Sequence, residues 1–261
     1  MRRQGTMGAA ILGLVMILAG GSAFGMHPLI TDDAETQGKG KFQLEINGSY
    51  GTDSQTVAGV SVKEIEGEQA TALTYGAGAH LDLFVEIPYL WIRGKEDGIV
   101  AYSESGLSDV SVGAKWRFFH KDGLSFAVKP SVSLPTGDEQ KGLGSGKYGY
   151  SVFLIAQKEV EPWSLFLNLG HIRNNNDFDE ANDLWHVSLA GTYEVVEHLK
   201  IAANVGAEKN RDKTADKDPA FALLGIVYEV GETLDLDAGV KKGLNEAETD
   251  VTYLAGVTVR F

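Results

Sequence analysis

His186-Val187-Ser188 sets an imidazole and a hydroxyl two residues apart. On an extended chain both side chains project from one face. Asn168 falls on the same kind of face in the preceding segment. A base beside a hydroxyl is the arrangement that activates a serine nucleophile. The run Gly142-Leu143-Gly144-Ser145-Gly146-Lys147 is glycine-rich and ends in lysine, as phosphate-cradling loops do. It lacks the GxxxxGK[ST] register, and Tyr148 stands where Ser or Thr belongs, so it reads as a flexible loop. His27, His80, His120, His171 and His198 show no metal-ligand spacing and the chain has no Cys. No metal site and no cofactor are expected.

These groups need elements to position them, and the elements read as strands. Apolar and polar residues alternate with period two in about twelve segments: 42–50, 71–77, 83–91, 110–118, 124–134, 148–156, 163–169, 185–193, 199–205, 220–228, 234–240 and 251–261. The last is the clearest. Val251, Tyr253, Ala255, Val257, Val259 and Phe261 share one face, with an aromatic at the chain end. That suits the closing strand of an outer-membrane barrel, whose outward face meets lipid. Connections alternate in length. Tight turns at 80–82, 120–123, 158–162, 196–198 and 231–233 alternate with longer polar segments at 51–68, 94–108, 136–147, 174–183, 209–218 and 243–250. Short periplasmic turns and long external loops are the expected asymmetry. Pro88 and Pro130 each remove a ladder donor, so a bulge or local loss of pairing is expected at both.

Composition agrees. The chain has 261 residues, 32 of them Gly, and a formal charge of -13. The acidic balance argues against a nucleic-acid partner. A mean hydropathy of -0.10 is polar for a membrane protein. A barrel is the exception, because only alternate residues of each strand face lipid. Arg2 and Arg3 precede an apolar run from Ala9 to Leu18, with Ala23 and Gly25 placed for cleavage before Met26. That is a secretory signal peptide, too short to span a bilayer as a helix. Residues 1–25 are therefore a cleaved signal, 26–41 a periplasmic lead-in or plug, and 42–261 the barrel. The predicted fold is all-β: a single transmembrane antiparallel up-and-down barrel in the bacterial outer membrane.

Strand direction then sorts the aromatics. Tyr50, Tyr89, Trp91, Tyr148, Tyr150, Trp185 and Tyr253 fall at external ends. Trp116, Phe118, Trp163, Tyr193, Tyr228 and Phe261 fall at periplasmic ends. Two aromatic girdles mark the bilayer interfaces. The alternate face holds Glu45, Glu86, Lys115, Arg117, Lys129, Glu194, Lys200, Glu208, Asp235, Asp237, Lys241 and Arg260, six acids and six bases. Inward charges of both signs are expected to pair and stabilise the wall. The surplus acid sits in the external loops, a solvated face and a candidate for cation bridging to lipopolysaccharide. A second inward set is apolar: Phe153, Ile155, Phe166, Ile172, Phe221 and Leu223. It forms either the flank of a passage for an aromatic or amphiphilic solute or the seat of Pro28-Leu29-Ile30. Inward His186 completes the lumen-lining set.

Several motifs resemble a known family. Thr36-Gln37-Gly38-Lys39-Gly40-Lys41-Phe42-Gln43-Leu44-Glu45, Leu83-Phe84-Val85-Glu86-Ile87-Pro88-Tyr89, Gly106-Leu107-Ser108-Asp109-Val110 and Pro130-Ser131-Val132-Ser133-Leu134-Pro135-Thr136-Gly137-Asp138 are similar to the MetA-pathway phenol-degradation family of outer-membrane transporters. The resemblance spans nearly the whole mature chain. It implies an outer-membrane barrel associated with aromatic compounds and supplies no catalytic residues. The closing segment resembles the C-terminal signature read by the barrel-assembly machinery, through Phe261. The His/Ser/Asn group resembles that of outer-membrane phospholipase A, also a twelve-stranded barrel. That enzyme presents its nucleophile to lipid, whereas His186 and Ser188 are expected to face inward.

The expected function is passive passage of a small hydrophobic or aromatic solute, without enzymatic activity. A non-conducting structural or adhesive barrel is the alternative, and a barrel hydrolase ranks third.

Overall fold

The computed structural model describes residues 26–57 and 59–261. The expected signal peptide, 1–25, lies outside the described residues. The chain forms β1 (Phe42–Val57), β2 (Val60–Gly76), β3 (Leu81–Glu96), β4 (Ile99–Leu107), β5 (Val110–Lys121), β6 (Leu124–Leu134) and β7 (Gly149–Val160). It continues through β8 (Trp163–Arg173), β9 (Asp183–Val196), β10 (Leu199–Glu208), β11 (Ala220–Glu229), β12 (Leu234–Gly243) and β13 (Val251–Arg260). One turn of 3₁₀ helix, Glu139–Lys141, interrupts a loop. All strand pairs are antiparallel, and β1 pairs with β13 from Gln43↔Arg260 to Thr52↔Val251, which closes the sheet. The seam ends in two backbone bonds: Phe42 N–H donates to Phe261 (2.7 Å) and Phe261 N–H to Phe42 (2.9 Å). Closure leaves no edge along the spanning wall, so its backbone groups are satisfied without water; β4, an external extension, pairs with β3 alone.

Thirteen segments fill twelve wall positions. β4 pairs with the upper half of β3 (Tyr89↔Leu107 to Glu96↔Ile99), and β5 pairs with the lower half (Leu81↔Trp116 to Glu86↔Ser111). The two are collinear, broken at Ser108-Asp109 opposite Pro88. Pro88 has no N–H to give; its carbonyl accepts from Ser108 N–H at 2.9 Å. Between the flanking pairs, three residues of the β4–β5 side face two of β3, a one-residue bulge. At Pro130 the β5–β6 ladder skips from Gly113↔Ser131 to Trp116↔Val128 without a shift, so pairing lapses there and resumes in register.

Two expected loops are strands. Residues 51–68 and 94–108 are mostly ladder, because β1–β2 pairing runs to Val57↔Val60 and β3–β4 pairing to Glu96↔Ile99. Asp97 and Gly98 (φ 46° and 81°) turn the second hairpin in the left-handed conformation that two-residue connections require. Their apolar alternation fades because these tips rise beyond the aromatic level: Lys63 is exposed on one face, while Glu64 and Glu66 on the other accept from Tyr102 and Thr249.

The barrel wall obeys the pleat. On β9, Leu184, His186, Ser188, Ala190 and Thr192 are buried while Trp185, Val187, Leu189 and Tyr193 are exposed. In a soluble sheet a face of exposed Trp, Leu and Val would be an aggregation site; here it is the surface that meets lipid.

Candidate functional site: the lumen and the segment inside it

Residues 27–37 run inside the barrel and bond to its inward side chains. The path begins where the chain leaves β1: Gly40 N–H donates to the Gly76 carbonyl at 2.8 Å. A Cβ on Gly76 would sit 1.8 Å from the Gly38 carbonyl oxygen, so only glycine lets the two backbones pass.

Three amides from three strands serve as a ladder for this otherwise unpaired backbone. Gln157 (β7) accepts from Ala34 N–H at 2.8 Å. Asn168 (β8) accepts from Asp32 N–H at 2.7 Å and donates to the Asp32 carbonyl at 3.0 Å. Asn204 (β10) accepts from Ile30 N–H at 2.8 Å and donates to Thr31 Oγ1 at 2.7 Å. Buried backbone polar groups demand such partners. Side chains supply the rest. Asp32 accepts from Lys129 (2.7 Å) and Lys115 (3.4 Å), and Asp33 from Lys115 (3.2 Å). Arg117 pairs with Glu35 and His27 with Asp237. Leu29 packs with Phe166, Ala190, Ala202, Phe221 and Leu223; Ala34 packs with Ala127, Phe153, Ile155, Ile172 and Leu184.

Each residue expected to line the lumen lies on an inward position. Phe153, Ile155 and Phe166 contact the lead-in through these two clusters; Lys115, Arg117, Lys129 and Asp237 contact it through ion pairs. Lys241 is fully buried on Glu248 (2.7 Å), Arg260 pairs with Asp235 (2.5 Å) and Lys200 with Glu229. Much of the charge pairing expected within the wall is thus made instead with the lead-in. Glu45 and Glu86, both buried, take no ion-pair partner among the described residues. His186 receives a fuller set of contacts than its sequence suggested. Nε2 lies 3.0 Å from Ser188 Oγ, Nδ1 lies 3.3 Å from a Glu208 carboxylate oxygen, and the ring meets Phe153 edge-on at 5.6 Å. The order carboxylate–imidazole–hydroxyl is that of a catalytic triad, but Ser188 is 1% exposed. Asn168 is committed to Asp32.

The external mouth is covered by loops. Asp109, in the β4–β5 break, accepts from Gly137 N–H (2.9 Å), Ser145 N–H (2.8 Å) and Ser145 Oγ (2.7 Å). That pins the 136–147 loop inward, and Leu143 packs against Leu90 and Ile92. In the 209–219 loop, Asp218 accepts from Asn210 N–H (2.9 Å) and pairs with Lys209 (2.9 Å), and these hold its carboxyl below the usual range.

The lead-in runs along the lumen wall from β5 and β6, through its ion pairs to Lys115, Arg117 and Lys129, to β12 at Asp237. Beside it a cavity of about 570 Å³ remains at the periplasmic half, lined by Glu45, Ala72, Phe84, Glu86, Lys115 and Lys129 among others. A narrower space of about 70 Å³ above it shares Glu86 and reaches Ser111, Ser131 and Ser133.

Tyr89, Trp116, Phe118, Tyr148, Tyr150, Trp163, Trp185, Tyr193, Tyr228, Tyr253 and Phe261 are exposed on the outer surface. Trp91 is half-buried, its ring lying over Gly67 on the paired strand. Asp32, Gln157 and Asn204 were not singled out from sequence. An inward amide on three strands and an acidic pair in the aperiodic lead-in are the signals that could have found them.

Residues 27–261 match the family model described as "Putative MetA-pathway of phenol degradation". An outer membrane channel from Pseudomonas putida F1 superposes with a TM-score of 0.68 at 15% identity, over 88% of this chain and 98% of that one. The KdgM porin gives 0.57 at 9% identity (84% and 99% covered). The translocator domain of the autotransporter NalP from Neisseria meningitidis gives 0.52 at 13% (87% and 91%). Identities this low speak for a shared barrel fold alone. Comparison with curated protein sequences gave no match.

Proposed function

We propose, for a chain that belongs to the MetA-pathway phenol-degradation family and resides in the bacterial outer membrane, a channel for passive passage of a small hydrophobic or aromatic solute. The observation that carries this reading is the apolar lumen face. Water-filled barrels have polar interiors, yet Phe153, Ile155, Phe166, Ile172, Leu184, Phe221 and Leu223 all point inward here. Their apolar surface is occupied by Leu29 and Ala34, which a solute of similar character would replace. In this reading residues 26–41 act as a plug that yields, residues 42–261 form the conducting barrel, and 1–25 are removed on export. Phe261 presents the assembly signal, and the girdles seat the barrel between lipid and lipopolysaccharide.

The second reading, a closed structural or adhesive barrel, draws on the number of contacts that hold the lead-in. Flux of a small phenol into proteoliposomes separates the two. The channel reading expects saturable uptake that Phe166→Arg abolishes while the barrel still folds; uptake indifferent to that substitution overturns it. Hydrolysis is not expected, and an esterase activity in micelles that disappears in Ser188→Ala would overturn that part.

A further inference from the structure

We propose that the recess between Glu45 and Glu86 is a binding site for a small organic ammonium ion. The site stands on its own geometry, whether or not the barrel conducts.

The recess follows from register. Glu45 on β1 pairs with Ala72 on β2, and Ala72 pairs with Glu86 on β3. Two carboxylates therefore flank an alanine at one height, their backbones roughly 10 Å apart across two strand spacings. Ala70 stands one inward position above, between Asn47 and Pro88. Two small side chains in a row leave the floor low, and the long acids lean over the 570 Å³ cavity that they line.

The acids lack counter-charges. Glu45 is 1% exposed, and neither of its carboxylate oxygens has a partner among the described residues. Asn47, 3% exposed, is likewise unpartnered at both amide atoms. The two nearby cations are taken: Lys129 and Lys115 are held by Asp32 and Asp33 of the lead-in. Seating the lead-in thus neutralises the lysines and leaves the wall acids short of positive charge. A buried carboxylate without a partner is costly, and a bound cation removes that cost.

The chemistry favours ammonium over metal. No cluster of three or more His, Asp or Glu side chains placed to hold a metal ion occurs among the described residues. An ammonium group needs only two or three acceptors, which Glu45 and Glu86 supply from opposite sides. The cavity has the size of a small-molecule site, and Ala72 and Phe84 offer apolar surface to a short carbon chain.

The test uses the full mature barrel in detergent micelles, with propylammonium as probe and 1-propanol as its uncharged counterpart, followed by saturation-transfer NMR. Saturable binding of propylammonium only, with contacts to the Ala72 methyl and the Phe84 ring, is the expected result. Glu45→Gln and Glu86→Gln should each weaken it at least tenfold, and Lys213→Met in an external loop should leave it unchanged. Gel mobility with and without heating checks that each variant folds. If the variants do not fold, the wild-type comparison decides: equal response to both probes, no binding, or contacts elsewhere in the barrel overturn the assignment. Unchanged affinity in both folded variants does the same.

Discussion

Replacing Asp32 by Ala tests whether the lead-in is held by charge. The substitution keeps the backbone bonds to Asn168 and removes the carboxylate that Lys129 approaches at 2.7 Å and Lys115 at 3.4 Å. Lys115 retains Asp33 at 3.2 Å, whereas Lys129 is left with no acidic partner among the described residues. Breaking a buried ion pair on one side costs about 3–5 kcal/mol. Freed Lys129 can turn towards Glu86 across the cavity, which favours the lower bound. A loss of about 3 kcal/mol shifts the seated-to-unseated ratio roughly a hundredfold. The chain has no cysteine, so Ala34→Cys gives a single reporter at a position with 0% exposure. Its rate of thiol labelling measures the unseated population directly. Asp32→Ala in that background should label about a hundredfold faster. Lys129→Met should do nearly the same, and the double substitution should add little to either, because the two act through one contact. Labelling within twofold of the parent in a folded Asp32→Ala barrel would refute the electrostatic account and leave the amide ladder and Leu29 as the holding forces.

Gly76→Ala should lower folded yield and cost about 1–3 kcal/mol, since the new Cβ meets backbone rather than a movable side chain; the folded fraction on unheated gels reports it. Asp109→Ala removes three hydrogen bonds from the 136–147 loop and should free Leu143, read as trypsin cleavage at Lys141 or Lys147 at least about tenfold faster, each lost bond being worth roughly 1 kcal/mol. Asp218 has a depressed folded-state pKa, so its contribution to the 209–219 loop is complete above the ordinary carboxylate value and disappears as pH falls through the lower folded value. Protection of the Asn210 amide should therefore be flat from about pH 7 to 5 and fall only below about pH 4, as hydrogen exchange will show.

The wall was legible because lipid imposes a period. Leu236, Ala238 and Val240 alternate with Asp235, Asp237 and Lys241 so cleanly that face and register follow from sequence alone. Where lipid ends, so does the signal, and the β1–β2 and β3–β4 tips looked like loops for that reason. The β4–β5 break was half visible: Pro88 announced a disturbed ladder, but not that its partner strand would divide at Ser108-Asp109. The lead-in was harder. Its hydrogen bonds cross more than a hundred residues, Asp32 to Asn168 and Ile30 to Asn204, and no local pattern encodes contacts that distant. The inward apolar set is legible from its alternation, but alternation does not say what fills it; the packing of Leu29 against Phe166, Phe221 and Leu223 does.

The paired backbone bonds between Phe42 and Phe261 impose a timetable. The cylinder is complete only when Phe261 docks on the first strand, whereas residues 27–37, destined for its interior, precede that strand and are made before it. They must stay unpaired, with their aspartates and amide groups wetted, until a chamber has been built around them. A bulky tag fused ahead of Met26 would have to fit within that chamber or hold its occupant outside. A tag beyond Phe261 would burden the last clasp instead.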